Sequence, residues 1–225
     1  MAIALVASVK SGTSSGGTTS SNIDTTSADG LVMVVGHYAA VATPTIADAK
    51  GNSWTALTSY TQGNARVTTF YAKNATVGSG HWFQASGSNC YAGICVGAFS
   101  GTDLAAFYDS PNQNGSNGNG ATSQPGSITP SAAGSLVIVG ANLFPDGLSS
   151  INGGFTLQEE LPGSPAFYYG SSLSYLIQTS AAAANPTLTH VSTTDYADAI
   201  ASFKAAGAAT GNPWYYYAQE QAVCG

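Results

Sequence analysis

The sequence predicts an all-β protein: a jelly-roll-like antiparallel β-sandwich built from two copies of one strand motif, with a C-terminal extension. Short runs rich in Val, Ile, Thr, Tyr and Phe alternate with clusters of Gly, Ser, Asn and Pro, which is typical of strands and turns. Helix caps and a 3.6-residue periodicity of apolar residues are nearly absent. A strand pattern in the first hundred residues also recurs in the second hundred.

The strands are predicted from these runs in chain order. They cover 2–9, 19–24, 31–39, 53–60, 66–73, 80–86, 90–99, 123–128, 135–143, 154–160, 168–178, 186–191 and 196–204. Polar and apolar residues alternate most clearly from Arg66 to Ala72, whereas Tyr91 to Phe99 is apolar on both faces and is expected to be a covered central strand. Cys90 and Cys95 fall on opposite faces of that strand, so they cannot form a disulfide.

The repeat depends on three anchor pairs that share a separation of 104 residues. These pairs are Gly36 with Gly140, Tyr71 with Tyr175, and Phe99 with Phe203. The anchors define repeat halves of about 19–101 and 122–204. Two such halves fit either one sandwich or two separate ones.

A single domain over residues 1–204 is favoured, because the second half has less bulk and Ala-rich turns at 181–184 that would leave a thin core alone. The Asn/Gly-rich stretch 109–120 is then interpreted as a long surface loop that joins the halves.

The tail, residues 205–225, differs in composition from the predicted strands, because a Gly/Ala-rich linker leads to four adjacent aromatic residues. Four consecutive aromatic side chains cannot all be buried by one strand face, and exposed aromatic clusters usually form contact surfaces. The candidate assembly contacts are Trp214, Tyr215, Tyr216 and Tyr217. A neighbouring subunit is the preferred partner, and folding back onto the same sandwich is the alternative.

Composition and charge exclude several classes of function. Only 7% of the 225 residues are charged, and the net charge of −6 with five scattered basic residues argues against nucleic-acid binding. No apolar run reaches the ~18 residues of a membrane helix, so no membrane insertion is expected. His37, His81 and His190 lack the spacing of a zinc site, so structural roles are expected, with no metal or cofactor.

A pair of carboxylates on one face is the clearest sequence indication of a glycan hydrolase. The neighbouring acidic residues of this sequence do not form such a pair. Glu159 and Glu160 are adjacent on a strand and point to opposite faces, as do Asp195 and Asp198. A pair from separate strands remains open, but an enzyme is not expected. Trp54 follows a turn that begins at Asp48, and it is interpreted as a core anchor, with a sugar-stacking platform as the alternative.

Several segments resemble a β-sandwich domain found in phage virion structural proteins and bacterial surface proteins. They are 31–37, 48–55, 67–74, 98–101 and 200–204, so the resemblance spans roughly 20–204 and leaves the tail outside. It implies a structural role and no catalytic residues. The expected function is a non-enzymatic virion component, either a capsid decoration or a tail appendage.

Such a component would be assembled in the host cytoplasm and would contact other virion proteins or copies of itself, as a homo-oligomer. The alternative is an extracellular carbohydrate-binding module or adhesin that recognises surface glycans through exposed Tyr and Trp.

Overall fold

A computed structural model describes residues 2–13, 15–163 and 169–207 and contains strands but no helix among them. No helix in that part of the chain is therefore long and apolar enough to cross a membrane. The strands are β1 (Ala4–Gly12), β2 (Thr18–Thr19), β3 (Gly30–Tyr38), β4 (Thr45–Asp48), β5 (Thr55–Ala56), β6 (Tyr60–Gln62), β7 (Ala65–Lys73), β8 (Phe83–Ser86), β9 (Gly93–Ser100), β10 (Tyr108–Ser123), β11 (Leu136–Phe144), β12 (Leu148–Ile151), β13 (Thr156–Leu161), β14 (Ser171–Ile177) and β15 (Leu188–Phe203).

The strands form three antiparallel sheets. The N-terminal sheet has the order β1-β9-β3-β7-β5, with β6 also on β7, and the C-terminal sheet has the order β10-β15-β11-β14-β13, with β12 also on β15. A small third sheet, β2-β8-β4, covers the outside of the N-terminal sheet. The predicted all-β antiparallel sandwich is what the chain forms.

The strand orders of the two large sheets correspond one to one, from β1 and β10 at one edge to β5 and β13 at the other. The register agrees with two of the three anchors. Tyr71 pairs with Val32 as Tyr175 pairs with Ile138, and Phe99 pairs with Gly30 as Phe203 pairs with Leu136. Strands β7 and β9 are thus repeated after 104 residues.

The third anchor, Gly36 with Gly140, is wrong. The same register sets Val32 against Ile138, a separation of 106 residues, and therefore sets Gly36 against Asn142 and Val34 against Gly140. These equivalent residues also meet across the sandwich: a Cβ on Gly36 would touch Asn142, and a Cβ on Gly140 would touch Val34. Strands β3 and β11 have similar apolar sequences, so the sequence alignment is displaced by two residues from the structural one.

The core between the two large sheets is shared by both halves. It includes Val32, Val34 and Phe99 from the first half and Ile138, Leu173 and Phe203 from the second. Two further apolar layers lie outside it, one between the N-terminal sheet and the small third sheet and one on the outer face of the C-terminal sheet. Cys90 and Cys95 belong to different layers, and both thiols are free.

The prediction of a surface loop at 109–120 is wrong, because these residues lie within the 16-residue strand β10, paired with β15. Asn and Gly have low strand propensity, which suggested a loop. Their small size is required here instead: a Cβ on Gly115 would overlap the Tyr60 ring, and one on Gly118 would approach the Tyr196 hydroxyl.

Other strand boundaries also differ from the prediction. The short strands β4 and β12 lie in regions read as loops, whereas 186–191 and 196–204 belong to one continuous strand, β15. Side-chain hydrogen bonds link the sheets along both lateral edges, from Ser8 to Glu159 on one side and from Asn117 to Gln62 on the other.

Candidate functional site

The predicted assembly contacts Trp214, Tyr215, Tyr216 and Tyr217 lie outside the residues that the structure describes. The base of the tail is described: Ala205 forms a β-bridge with Thr102, and the Ala206 amide donates to the Gly101 carbonyl at 2.8 Å. A Cβ on Gly101 would touch the Ala2 backbone, so the first and last described residues lie at one end of the sandwich, here called the terminal end.

The two glutamates on β13 face different surroundings, as the sequence predicted. Glu159 accepts a hydrogen bond from the Ser8 hydroxyl at 2.5 Å and lies 4.0 Å from the Lys10 ammonium. Glu160 accepts from the Leu148 amide at 2.7 Å, and burial raises the pKa of its carboxyl to about 7. The two side chains therefore do not form an acid/base pair.

The two aspartates on β15 differ as strongly in exposure. Asp195 is partly exposed and accepts a hydrogen bond from Asn119, whereas Asp198 is fully buried. Burial raises the pKa of Asp198 to about 7, and neither carboxyl oxygen has a hydrogen-bond partner among the described residues. The nearby Ser123 hydroxyl lowers that pKa, but this hydroxyl is itself bonded to His190.

All three histidines are buried, in keeping with structural roles. His190 is bonded through both ring nitrogens, to Ser123 and to the Gly120 carbonyl, each at 2.9 Å. His81 lies 2.8 Å from the Thr25 hydroxyl and 3.3 Å from Asp48. Among the described residues, the His37 ring is hydrogen-bonded only to the Tyr38 carbonyl, and burial, with the nearby Arg66 charge, lowers its pKa to about 4. His37 is thus buried as a neutral ring.

The carboxylate of Asp109 is occupied by protein groups. Ser131, Asn112 and Ser202 donate to it, and Lys204 lies 3.7 Å away. Across residues 2–13, 15–163 and 169–207, no three His, Cys, Asp or Glu side chains are placed to hold a metal ion.

All five basic side chains of the chain are engaged within the sandwich. Lys10, Lys50 and Lys73 donate to the carbonyls of Glu160, Ser79 and Ala105 at 2.7–2.8 Å. Arg66 donates to Thr61 and to the Val41 carbonyl, and Lys204 pairs with Asp109. Among the described residues, which include all five basic side chains, each of these cations thus has a partner within the protein.

Trp54 anchors the outer layer of the N-terminal half. Its indole N–H donates to the Asp48 carboxylate at 2.7 Å, and its ring meets Phe83 edge-on with centroids 6.2 Å apart. Asp48 also accepts from the Lys50 and Asn52 amides, which fixes the turn before the tryptophan. The ring is half-buried and packed, as expected of a core anchor.

A group of aromatic rings at the end opposite the terminal end was not predicted. Phe144, Tyr169 and Tyr38 form a stack with centroids 4.9 and 5.4 Å apart, and Tyr91 meets Tyr38 edge-on. Tyr38 and Phe144 end the equivalent central strands β3 and β11, so a correct register of the repeat would have revealed their proximity.

Comparison with known proteins gives no match to a family model, a curated protein or a solved structure.

Proposed function

We propose that this chain is a non-enzymatic structural component of a phage virion, a capsid decoration or tail appendage, which contacts neighbouring subunits through its C-terminal aromatic segment. The resemblance noted in the sequence and the low charge support this role. The structural observation that carries it is the base of the tail. Ala205 and Ala206 form backbone hydrogen bonds and a β-bridge with Gly101 and Thr102, so the described part of the tail is fixed at the terminal end.

The engagement of polar groups within the sandwich also favours a structural role over an enzyme. The acids of β13 and β15 are dispersed, and the buried histidines contact backbone or neighbouring side chains. A hydrolase would need a carboxylate pair converging on one accessible cleft. Assembly in the host cytoplasm and a homo-oligomeric or virion partner follow from the proposed role.

Particle incorporation of truncated chains tests the proposal. Removing residues 208–225 leaves the pairing of Ala205 and Ala206 intact and should abolish incorporation, whereas removing only 218–225 keeps all four aromatic residues and should preserve it. Purified truncated chains are checked for the β-sheet circular dichroism signal of the full chain. Normal incorporation of the chain that lacks 208–225 would remove the tail from the assembly contact.

A glycan-binding module is the second candidate, favoured by the half-exposed rings of Tyr38 and Tyr91 in the aromatic group at the end opposite the terminal end. Aromatic faces bind the apolar face of a sugar ring. A glycan array tests this candidate, with Tyr91→Ala as the variant expected to lose binding. Absence of binding at millimolar sugar would exclude it.

A further inference from the structure

Asparagine is followed directly by glycine at four places in the chain, three within β10 and one in the turn between β12 and β13. The four pairs begin at Asn114, Asn117, Asn119 and Asn152. Asparagine is one of the chemically labile residues, and a following glycine has no Cβ to hinder approach of the side-chain amide to the next backbone nitrogen. Each pair is therefore a candidate for modification by its own backbone.

The modification needs only the asparagine, the next residue and water. The following backbone nitrogen loses its proton to solvent base and bonds to the side-chain Cγ, while the bond from Cγ to Nδ2 breaks and ammonia leaves. Water then opens the resulting succinimide ring at either carbonyl, which gives aspartate or isoaspartate. The attack passes through a tetrahedral intermediate with negative charge on Oδ1, so a hydrogen-bond donor at that oxygen speeds the reaction.

The glycines of β10 lack the freedom that ring closure requires. The strand is paired with β15 on both sides of the three Asn–Gly pairs. A Cβ on Gly115 would overlap the Tyr60 ring, and one on Gly118 would lie 2.8 Å from the Tyr196 hydroxyl. Rotation of this backbone to bring a peptide nitrogen onto Cγ would break the strand pairing and collide with these rings.

The asparagine side chains of β10 are held through the nitrogen that would have to leave. Their Nδ2 groups donate to the Ser127 carbonyl from Asn114, to Gln62 Oε1 from Asn117 and to Asp195 Oδ1 from Asn119, at 3.3, 3.1 and 2.9 Å. The Gly115 N–H also donates to Asn114 Oδ1 at 2.9 Å, so it points at the oxygen and not at Cγ. Both the leaving group and the attacking nitrogen are thus restrained.

The turn at Asn152 has the opposite arrangement. Asn152 Oδ1 accepts a hydrogen bond from the Thr187 amide at 2.7 Å, whereas Asn152 Nδ2 and the Gly153 amide have no hydrogen-bond partner among the described residues. Gly153 and Gly154 have φ of 71° and 80°, and a Cβ on either would meet no group closer than 3.7 Å. The Thr187 amide is placed to stabilise charge on Oδ1, as the donors of an oxyanion hole do.

We propose that Asn152–Gly153 is a self-modifying site at which Asn152 converts to aspartate and isoaspartate in the folded protein, while the asparagines of β10 stay intact. The inference is independent of the proposed assembly role. Each converted chain carries one more negative charge than the net −6 of the sequence. Isoaspartate also lengthens the main chain between β12 and β13 by one carbon.

Peptide mass spectrometry of the full chain, aged at mildly alkaline pH, measures conversion at all four pairs in one sample. Fragment ions distinguish isoaspartate from aspartate. In the folded chain Asn152 should convert at least about tenfold faster than any asparagine of β10, a modest share of what one oriented donor contributes to acyl transfer. No conversion at Asn152, or equally fast conversion within β10, would overturn the proposal.

The same measurement in urea separates the effect of the fold from that of the local sequence. Unfolding removes the contacts of β10 and the Thr187 hydrogen bond but leaves every Asn–Gly pair in place. The four conversion rates should therefore approach one another. A preference for Asn152 that persists in urea would assign the selectivity to the local sequence and would equally overturn the proposal.

Glutamine substitutions provide matched variants, because the longer side chain would have to close a larger ring that forms more slowly. Asn152→Gln should slow the appearance of acidic species on isoelectric focusing at least about tenfold. Asn117→Gln, at another exposed asparagine that precedes glycine, should leave that rate unchanged. Circular dichroism checks that both variants keep the fold of the parent. An equal decrease in the two variants would contradict the assignment to the turn.

Discussion

Asp198 is a fully buried carboxyl group on β15, and burial raises its pKa to about 7. Because the folded state then holds a proton that the unfolded chain releases near pH 4, the contribution of Asp198 to stability is present below that pH and is lost as pH rises through 7. Asp198→Asn removes this dependence. The unfolding free energy of the variant, relative to the parent, should rise by on the order of a few kcal/mol from pH 4 to pH 8.

Urea denaturation at several pH values measures this difference. Asp195→Asn removes the same charge three residues away, at a side chain that is partly exposed and bonded to Asn119, and controls for net charge. The neutral buried histidines change stability with pH in both parent and variant, so only the difference between the curves is interpreted. Parallel curves for Asp198→Asn and the parent would show that the buried carboxyl does not titrate as argued.

Trp54 contributes a hydrogen bond as well as packing. Trp54→Phe keeps an aromatic ring but leaves the buried Asp48 Oδ2 without its indole donor, so stability should fall by about 2 kcal/mol. Trp82→Phe is the matched control, since no hydrogen bond from the Trp82 side chain occurs among the described residues. Thermal denaturation compares the two. A smaller loss of stability for Trp54→Phe than for Trp82→Phe would contradict a stabilising hydrogen bond between Trp54 and Asp48.

Among the elements, β10 gives the most direct test of the fold. Gly115→Val should destabilise the protein by about 2 kcal/mol, because a side chain at this position overlaps the Tyr60 ring and the Asp198 carbonyl. Thr122→Val, at an exposed position of the same strand, should cost well under 1 kcal/mol. Hydrogen exchange should also show protected amides along β10. A tolerant Gly115 with rapidly exchanging neighbours would indicate a loop.

The strands that could be predicted are those whose own side chains carry the signal. The apolar run from Tyr91 to Phe99 indicated a covered central strand, and β9 is buried between β1 and β3. Strand β10 gave no such signal, since its small polar residues suit contacts with Tyr60 and Tyr196, which are distant in sequence. The false Gly36 and Gly140 anchor arose similarly, because apolar letters do not fix register. The aromatic group that contains Tyr38 and Phe144 was missed for the same reason, because it depends on the register of β3 against β11.

At the scale of the whole molecule, the halves share one core, so they should unfold together. Leu173 belongs to the C-terminal half and is fully buried against residues of both sheets. Trp54 and Trp82 lie in the N-terminal half, and in a Trp214→Phe background they are the only tryptophans. Leu173→Ala should therefore lower the urea concentration at which the tryptophan fluorescence reports half-unfolding. The expected loss in the free energy of unfolding is about 2–5 kcal/mol, although the substitution lies in the other half.

Calorimetry of the same variants completes this test. One cooperative transition is expected for the parent and for Leu173→Ala, because separating the sheets would expose Val32, Val34 and Phe99 together with Ile138 and Phe203. Thr189→Ala, at an exposed position of the C-terminal half, should leave the fluorescence midpoint nearly unchanged. If the halves were independent, Leu173→Ala would leave the urea midpoint of the tryptophan fluorescence unchanged. Its calorimetry would then show a second transition at a lower temperature, which would contradict a core that couples the two halves.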